Sequence, residues 1–280
     1  MDNKGLNSSE FILALSFAKN WGNKKIADFI MQHGFDLQEC LNFLELVLDS
    51  YNYSHFDEYV SNARYTLNKN KEKKIQFITM FDKEFPSKLY KNDDPVIYLY
   101  YCGDVNLLNS KCITIIGTRK LSPAFLRQGY DASYYFAKKG YSVVSGLALG
   151  SDAIAHKACL DADGKTIAVL PTALDKVSPR TNRDLARNIY QKGGLLISEY
   201  SVTELTQKFF FAKRDRIQSY LSNVDIVIQS TDTGGTMNAV RKSLEQGKKV
   251  YALKGNKISI IESYIDVEDY EQLGKIETEL

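Results

Sequence analysis

Residues 113–122, ITIIGTRKLS, set the fold of this chain. An unbroken apolar run ends at Gly117, a polar turn carrying Arg119 follows, and helical spacing begins after Ser122. The same order recurs in 141–156, YSVVSGLALGSDAIAH, in 164–182, GKTIAVLPTALDKVSPRTN, and in 225–240, DIVIQSTDTGGTMNAV. Segment 245–255, EQGKKVYALKG, closes one helix on glycine and opens a further strand. Short apolar runs without alternation are strands buried on both faces. Strands alternating with helices imply right-handed crossovers and a parallel sheet covered on both sides. The predicted strands are 113–116, 142–144, 166–170, 195–198, 225–229 and 249–253, and the predicted helices are 124–139, 152–162, 182–192, 214–221 and 236–246. Gly140, Gly164, Gly193 and Gly247 punctuate the helix ends.

The expected architecture is α/β: a Rossmann-like parallel-sheet domain over 71–280 with a short C-terminal tail, and a small helical domain over 1–70. Helices are expected from Ser9 to Lys19, from Asn23 to before Gly34, and around Leu41, Leu44, Val47 and Leu48. The polar run 68–74, NKNKEKK, is expected to be a linker, and 75–81 and 96–103 to be short strands. At 280 residues the chain can hold one substantial core and a small satellite. A net charge of +2 points to no partner, so nucleic acid would have to meet a local cluster of cations. Cys40, Cys102, Cys112 and Cys159 stand far apart with no zinc spacing, and no secretory segment is evident. Reduced thiols in a cytoplasm are expected. The apolar runs are too short to span a membrane, and no cofactor or metal is expected.

Ligands of open parallel sheets bind at the C-terminal ends of the strands. The turns expected there are rich in glycine, hydroxyls and cations, which suits an anion such as phosphate. Gly117 permits a tight turn, Thr118 and Ser122 offer hydroxyls, and Arg119 offers a planar fork. The alternative is a plain turn with a surface arginine. The glycine spacing is not the dinucleotide fingerprint. In SGLALGSDAIAH, Ser145, Gly146 and the following helix N-terminus form a second anion-friendly loop. Ser145, His156 and Asp152 could in principle form a hydrolase triad, but the nucleophile-elbow spacing is missing, and a packed histidine is the preferred reading. In 208–216, Lys208, Lys213, Arg214 and Arg216 interleave with Phe209, Phe210 and Phe211, a pattern suited to single-stranded nucleic acid. The competing reading is a helix start with buried rings and solvated charges. Gly234, Gly235 and Thr236 supply a third anion loop.

These segments, in this order, resemble the DNA-processing protein A (DprA/Smf) family, as does 81–104, FDKEFPSKLYKNDDPVIYLYYCGD. The resemblance covers about 75–255, and the helical start is similar to the small N-terminal domain of many members. It implies an extended Rossmann-like fold, single-stranded DNA binding as a homodimer, and loading of a RecA-type recombinase during natural transformation, without enzymatic activity. By the same resemblance Arg119 would grip a phosphate. Lys208 and Phe211 would form the basic pocket with Phe211 against a base. Arg180 beside Asn182 would extend the cationic path, and Arg214 and Arg216 would complete the basic loop or hold it together.

The chain departs from the family pattern at several positions. Ala212 and Asp215 replace a proline and an asparagine, Gln229 replaces an acid, and Pro171 replaces a glycine. Gln218, Ser219 and Tyr220 replace small residues. The departures mark a diverged member, for which a mobile-element or defence role stands beside transformation. The alternatives outside DNA mediation are a mononucleotide sensor and a nucleoside-monophosphate-cleaving enzyme. The latter is disfavoured because TGGTMNAV lacks the glutamate of the signature that such enzymes carry.

Overall fold

A computed structural model describes residues 5–278. Among them, nine strands form one sheet in the order β1-β2-β6-β5-β4-β3-β7-β8-β9. The strands are β1 Gln76–Thr79, β2 Tyr98–Gly103, β3 Cys112–Ile116, β4 Ser142–Ser145, β5 Thr166–Val169, β6 Leu195–Ser198, β7 Val224–Val227, β8 Lys249–Leu253 and β9 Ser263–Ile265. From β6 across to β9 every pair is parallel, whereas β1 and β2 add an antiparallel edge. All residues of β3, β4, β5, β6 and β7 are buried, as their unbroken apolar runs require. The chain leaves β3 in one direction through β4, β5 and β6, then returns to the other side of β3 for β7, β8 and β9. The order therefore reverses between β3 and β7. The register pairs Ile116 with Val227, so the turns after these two strands leave the sheet side by side.

The helices are α1 Ser8–Phe17, α2 Asn23–Gln32, α3 Leu37–Val47, α4 Ser50–Ser54, α5 Phe56–Glu72, α6 Ser87–Tyr90, α7 Pro123–Lys138, α8 Ser151–Asp161, α9 Arg183–Gln191, α10 Phe209–Leu221, α11 Met237–Glu245 and α12 Tyr270–Glu277. Expected and observed core elements agree to within a residue or two except at α10. That helix begins at Phe209, five residues before Arg214. Ala212 explains the difference: a proline there would lack the N–H that closes the first turn. At the end of α8 the left-handed residue is Asp163 (φ 55), not Gly164. Gly164 is needed for a different reason, since a Cβ there would lie 2.8 Å from Ala137 Cβ of α7.

The polar run 68–74 is not a linker. It is the last turn and a half of α5 and the turn beyond it, and Asn70 within it is only 1% exposed. The Asn70 amide donates to Ser201 Oγ at 2.7 Å and its carbonyl accepts from Val202 N at 3.3 Å. Apolar residues of α1, α2 and α5 share one buried cluster with Val144, Ile167 and Val169 of the sheet and with Ile217 and Leu221 of α10. The C-terminal stretch is likewise more than a tail. β9 extends the sheet, and Leu273 and Ile276 of α12 join the core beneath α7. No helix among the described residues is long and apolar enough to cross a membrane.

Asn70 clips the helical segment to the segment after β6. Asn70→Ala leaves buried groups unpaired and is expected to lower unfolding free energy by about 1–3 kcal/mol. Urea titration of wild type and variant checks this; identical midpoints would mean that the clip contributes nothing.

Candidate nucleic-acid interface

The turns after β3, β4 and β7 enclose a cleft of about 660 Å³ at the point where the strand order reverses, with α10 as one wall. Ligand sites of open parallel sheets form at this position. Three loops meet as one hydrogen-bonded unit. Thr118 N donates to Gln229 O at 2.7 Å, and Ser151 donates to Thr118 O through both its N–H (3.1 Å) and its hydroxyl (3.0 Å). Ser122 N donates to Gln229 Oε1 at 2.9 Å, so Gln229 satisfies an N–H at the start of α7. Glycine is obligatory at 150: φ is +72, and a Cβ would stand 2.5 Å from Thr118 O.

The predicted residues divide into those that reach this cleft and those that do not. Gly117, Thr118, Arg119, Lys208, Phe211, Arg214, Gly234, Gly235 and Thr236 line it. Arg119 is exposed, with its guanidinium carbon 6.0 Å from the centre of the Phe211 ring, within reach of a cation–π contact. Lys208 is exposed at the end of α10 nearest the cleft. The three rings of the phenylalanine run face three ways. Phe211 lines the cleft and Phe209 is 57% exposed. Phe210 is buried and stacks on Tyr200 at 3.6 Å between ring centres.

Five predicted residues are structural. Ser145 is fully buried and donates to Ile115 O at 2.6 Å. Gly146 is buried under Arg214, whose Nη1 donates to its carbonyl at 2.7 Å. The buried Asn182 spends its amide on Leu147 O and Ala148 O, bracing the loop after β4 from behind. Arg214 reaches the cleft only as part of its wall. It is 6% exposed and donates also to Val169 O at 2.5 Å and to Asp215 Oδ1 at 3.0 Å. Arg216 is 2% exposed and forks onto Glu199 at 2.6 and 2.7 Å, with Asp94 Oδ2 at 3.0 Å. Burial opposes its charge and is the largest single influence, but the charge and hydrogen bonds of Glu199 together with Asp94 offset it and raise its pKa. Arg216 therefore offers no phosphate contact. Ser122, Arg180 and Lys213 do not line the cleft: Ser122 engages Gln229, Arg180 is exposed on the turn before α9, and Lys213 is half-buried.

Lining residues that the sequence reading missed include Lys120, Ala148, Gln218, Gln229, Ser230, Thr231, Asn238 and Ala239. Lys120 follows Arg119 directly and is exposed. Spacing also signals Gln218, which lies seven residues after Phe211 and so on the same helix face. Asp152 and Asp215 are the carboxylates among the described lining residues. Burial raises the pKa of each and the Arg214 charge opposes it; Asp215 Oδ1 accepts from Arg214 Nε, whereas Asp152 Oδ2 accepts from Ala148 N at 3.2 Å. No hydrolase triad forms. His156 is fully buried, with Nδ1 2.7 Å from Thr166 Oγ1, and the Ser145 hydroxyl is taken by a carbonyl. Among the described residues no three or more His, Cys, Asp or Glu side chains group as metal ligands.

Two measurements separate structure from surface here. Arg216→Ala strands Glu199 in the interior and is expected to cost about 3–5 kcal/mol of stability. A thermal melt that matched wild type would show the pair to be solvated. Burial, with help from the Arg214 charge, pulls the His156 pKa down to about 3. Below about pH 6.5 the unfolded chain binds a proton that the folded chain refuses. The contribution of neutral His156 is thus full above that pH and lost as pH falls towards 3. His156→Gln removes this titration, and its other effects, on packing and on the contact with Thr166, do not vary with pH. Its stability deficit relative to wild type should shrink by about 1.4 kcal/mol per pH unit between about pH 6 and 4. Denaturant unfolding across that range checks it, and a constant deficit would contradict a buried neutral imidazole.

The sequence model of the family described as DNA recombination-mediator protein A matches residues 76–262. Protein Smf of Borreliella burgdorferi is 29% identical over 246 residues, covering 86% of this chain and 77% of that protein. The DNA processing protein DprA of Bacillus subtilis is 34% identical over 187 residues, covering 66% and 63%. The chain spans about half the length of the Smf proteins of Synechocystis and Escherichia coli. The X-ray structure of DprA from Streptococcus pneumoniae superposes with a TM-score of 0.65 at 26% identity, covering 96% of this chain and 89% of that one. DNA processing protein A from Helicobacter pylori, described for its single-stranded DNA binding mode, gives 0.62 at 27% identity, covering 72% and 96%. A matched sequence model over residues 76–262 and the shared fold place this chain in the DNA recombination-mediator protein A (DprA/Smf) family.

Proposed function

We propose that this chain binds single-stranded DNA in the cleft at the β3–β7 reversal and acts as a recombination mediator rather than an enzyme. The observation that carries the reading is the grouping of exposed Arg119, Lys120 and Lys208 around the accessible ring of Phe211. Cations at a rim and an aromatic face within it suit a strand whose phosphates pair outside while a base turns inward. The Helicobacter pylori relative, described as binding single-stranded DNA, supports the same reading. A cleaving enzyme would need a carboxylate free to exchange a proton, whereas Asp215 accepts from Arg214 Nε at 3.0 Å and Asp152 accepts from Ala148 N at 3.2 Å. In this reading residues 71–280 carry the DNA and residues 1–70 form a small domain that buttresses the sheet. The chain works in the cytoplasm as a homodimer that delivers the strand to a RecA-type recombinase, in natural transformation or in a related mobile-element or defence setting.

Mobility-shift titrations with matched oligonucleotides test the reading. Single strands should bind more tightly than duplex, and affinity should fall steeply with salt. Arg119→Ala should weaken binding about tenfold or more with little change in melting temperature, because a charge-assisted bond to phosphate is worth about 1.5–3 kcal/mol. Phe211→Ala should cost about 1–3 kcal/mol of affinity, whereas Phe210→Ala should cost about 3–5 kcal/mol of stability. Equal affinity for duplex and single strand would falsify the proposal.

A further inference from the structure

The first turn of α10 carries aromatic rings on opposite sides of the helix. Phe211 lines the cleft, whereas Phe209 stands outside it and is 57% exposed. Residues two apart in an α-helix project about 200° from each other, so the two rings serve different surfaces. On one side of the axis the interval between them is filled by Phe210 and Arg214, both buried. On the other side stands Ala212, which is exposed and also lines the cleft. The way from the cleft to the outer ring therefore runs over a side chain no larger than a methyl group.

A lone exposed ring needs no ligand to explain it, but this one is both held and flanked. Phe209 meets Phe210 at 84° with ring centres 4.8 Å apart, and Phe210 is itself stacked on Tyr200. A ring fixed in this way gives up little freedom when a flat partner lies on it. Because α10 runs unbroken through Ala212, Lys213 falls four residues after Phe209, one turn further along the same face. Among the described residues its ammonium group makes no hydrogen bond or ion pair, and Glu204 feels its charge without pairing with it. Lys208, exposed, precedes the ring on the side of the cleft. Lysine is depleted at protein–protein interfaces. Cations to either side of a ring are instead the arrangement on which single-stranded nucleic acid stacks.

Resting on the strand-binding reading above, we propose that the outer face of the first turn of α10 is a second subsite for single-stranded DNA: the strand leaves the cleft over Ala212, a neighbouring base stacks on Phe209, and Lys213 takes a phosphate beside it. The cleft then holds one part of the strand against Phe211 and the outer face holds the next, with Lys208 between them.

A ladder of oligo(dT) lengthened one nucleotide at a time, each competing with a labelled long strand, separates the two subsites. On the shortest rungs, which fill the cleft alone, Phe209→Ala should bind as wild type does. On the long rungs it should bind about tenfold more weakly, the loss of one stacked base. Phe211→Ala should weaken every rung. Phe209→Tyr keeps the ring and should match wild type, whereas Phe209→Leu keeps an apolar contact with Phe210 but should lose the long-rung gain. Lys213→Gln should weaken the long rungs and lower the slope of log affinity against log salt by about 0.7, one phosphate contact. Thermal melts confirm that each variant is folded. Wild-type affinity of Phe209→Ala or Phe209→Leu on every rung overturns the proposal, as does an equal loss on the shortest and longest rungs, which would make the ring a support for Phe211. These results leave strand binding itself standing. Failure of wild type to bind any rung overturns the strand-binding reading and this one with it.

Discussion

The cleft depends on one buried guanidinium. Arg214 ties α10 to the carbonyls of Gly146, just past β4, and of Val169, the last residue of β5, and it holds Asp215 beside them. These contacts fix both the height and the rotation of the helix over the sheet edge, and so fix where Phe211 and Gln218 point. The other end of α10 is held by charge as well. Lys88 Nζ donates to Leu221 O and Lys248 Nζ to Ser222 O, each at 2.6 Å, placing two cations where the helix carbonyls end. Burial brings the Lys248 pKa down to about 8 against the pull of Asp225, itself raised to about 6 by burial. The helix that forms the cleft wall is thus pinned at both ends by groups that have left water.

This explains what became of a sequence rich in cations. Of the four in residues 208–216, only Lys208 lines the cleft as an exposed charge. Arg216 turns inward because Glu199 and Asp94 await it, and Arg214 because two carbonyls and Asp215 do. Arginine suits such sites, since its fork satisfies several acceptors at once. Asp215, one of the departures from the family pattern, neutralises a wall residue and leaves the positive field to Arg119, Lys120 and Lys208.

The sheet was legible in the sequence because its strands are continuous apolar runs buried on both faces, and the cleft loops were legible because they sit where such strands end. Pairings across long sequence separations were not. Arg216 meets the Asp94 carbonyl 122 residues away, and Asn70 meets Ser201 131 residues away. Nothing local to NKNKEKK distinguishes a solvated linker from a helix end whose one buried amide has such a partner. The C-terminal segment misled for the same reason. Its isoleucines are too few to build a core of their own, but Ile265 lies on β9 beside β8 and Ile276 reaches the core beneath α7. Position 212 held a local signal that the reading of 214–221 did not use, since alanine in place of proline allows the helix to begin earlier.

The joined loops also bear on what kind of ligand fits. Thr118, Ser151, Ser122 and Gln229 hold the turns after β3, β4 and β7 to one another, and Asn256 fastens the β7 loop to the end of β8 by accepting from Ser230 N and donating to Ile228 O. A cleft organised before binding loses little further entropy when it is filled. In the proposed reading the ordering cost then falls on the strand, which brings phosphates to the rim and a base to the interior in one pose. A single strand can rotate each nucleotide about its backbone to do so. In a duplex the base edges are already paired and the base faces stacked, so only the rim remains available to it. In the strand-binding reading proposed above, discrimination between single strand and duplex rests on the interior of the cleft beside Phe211, while the charged rim is common to both kinds of DNA.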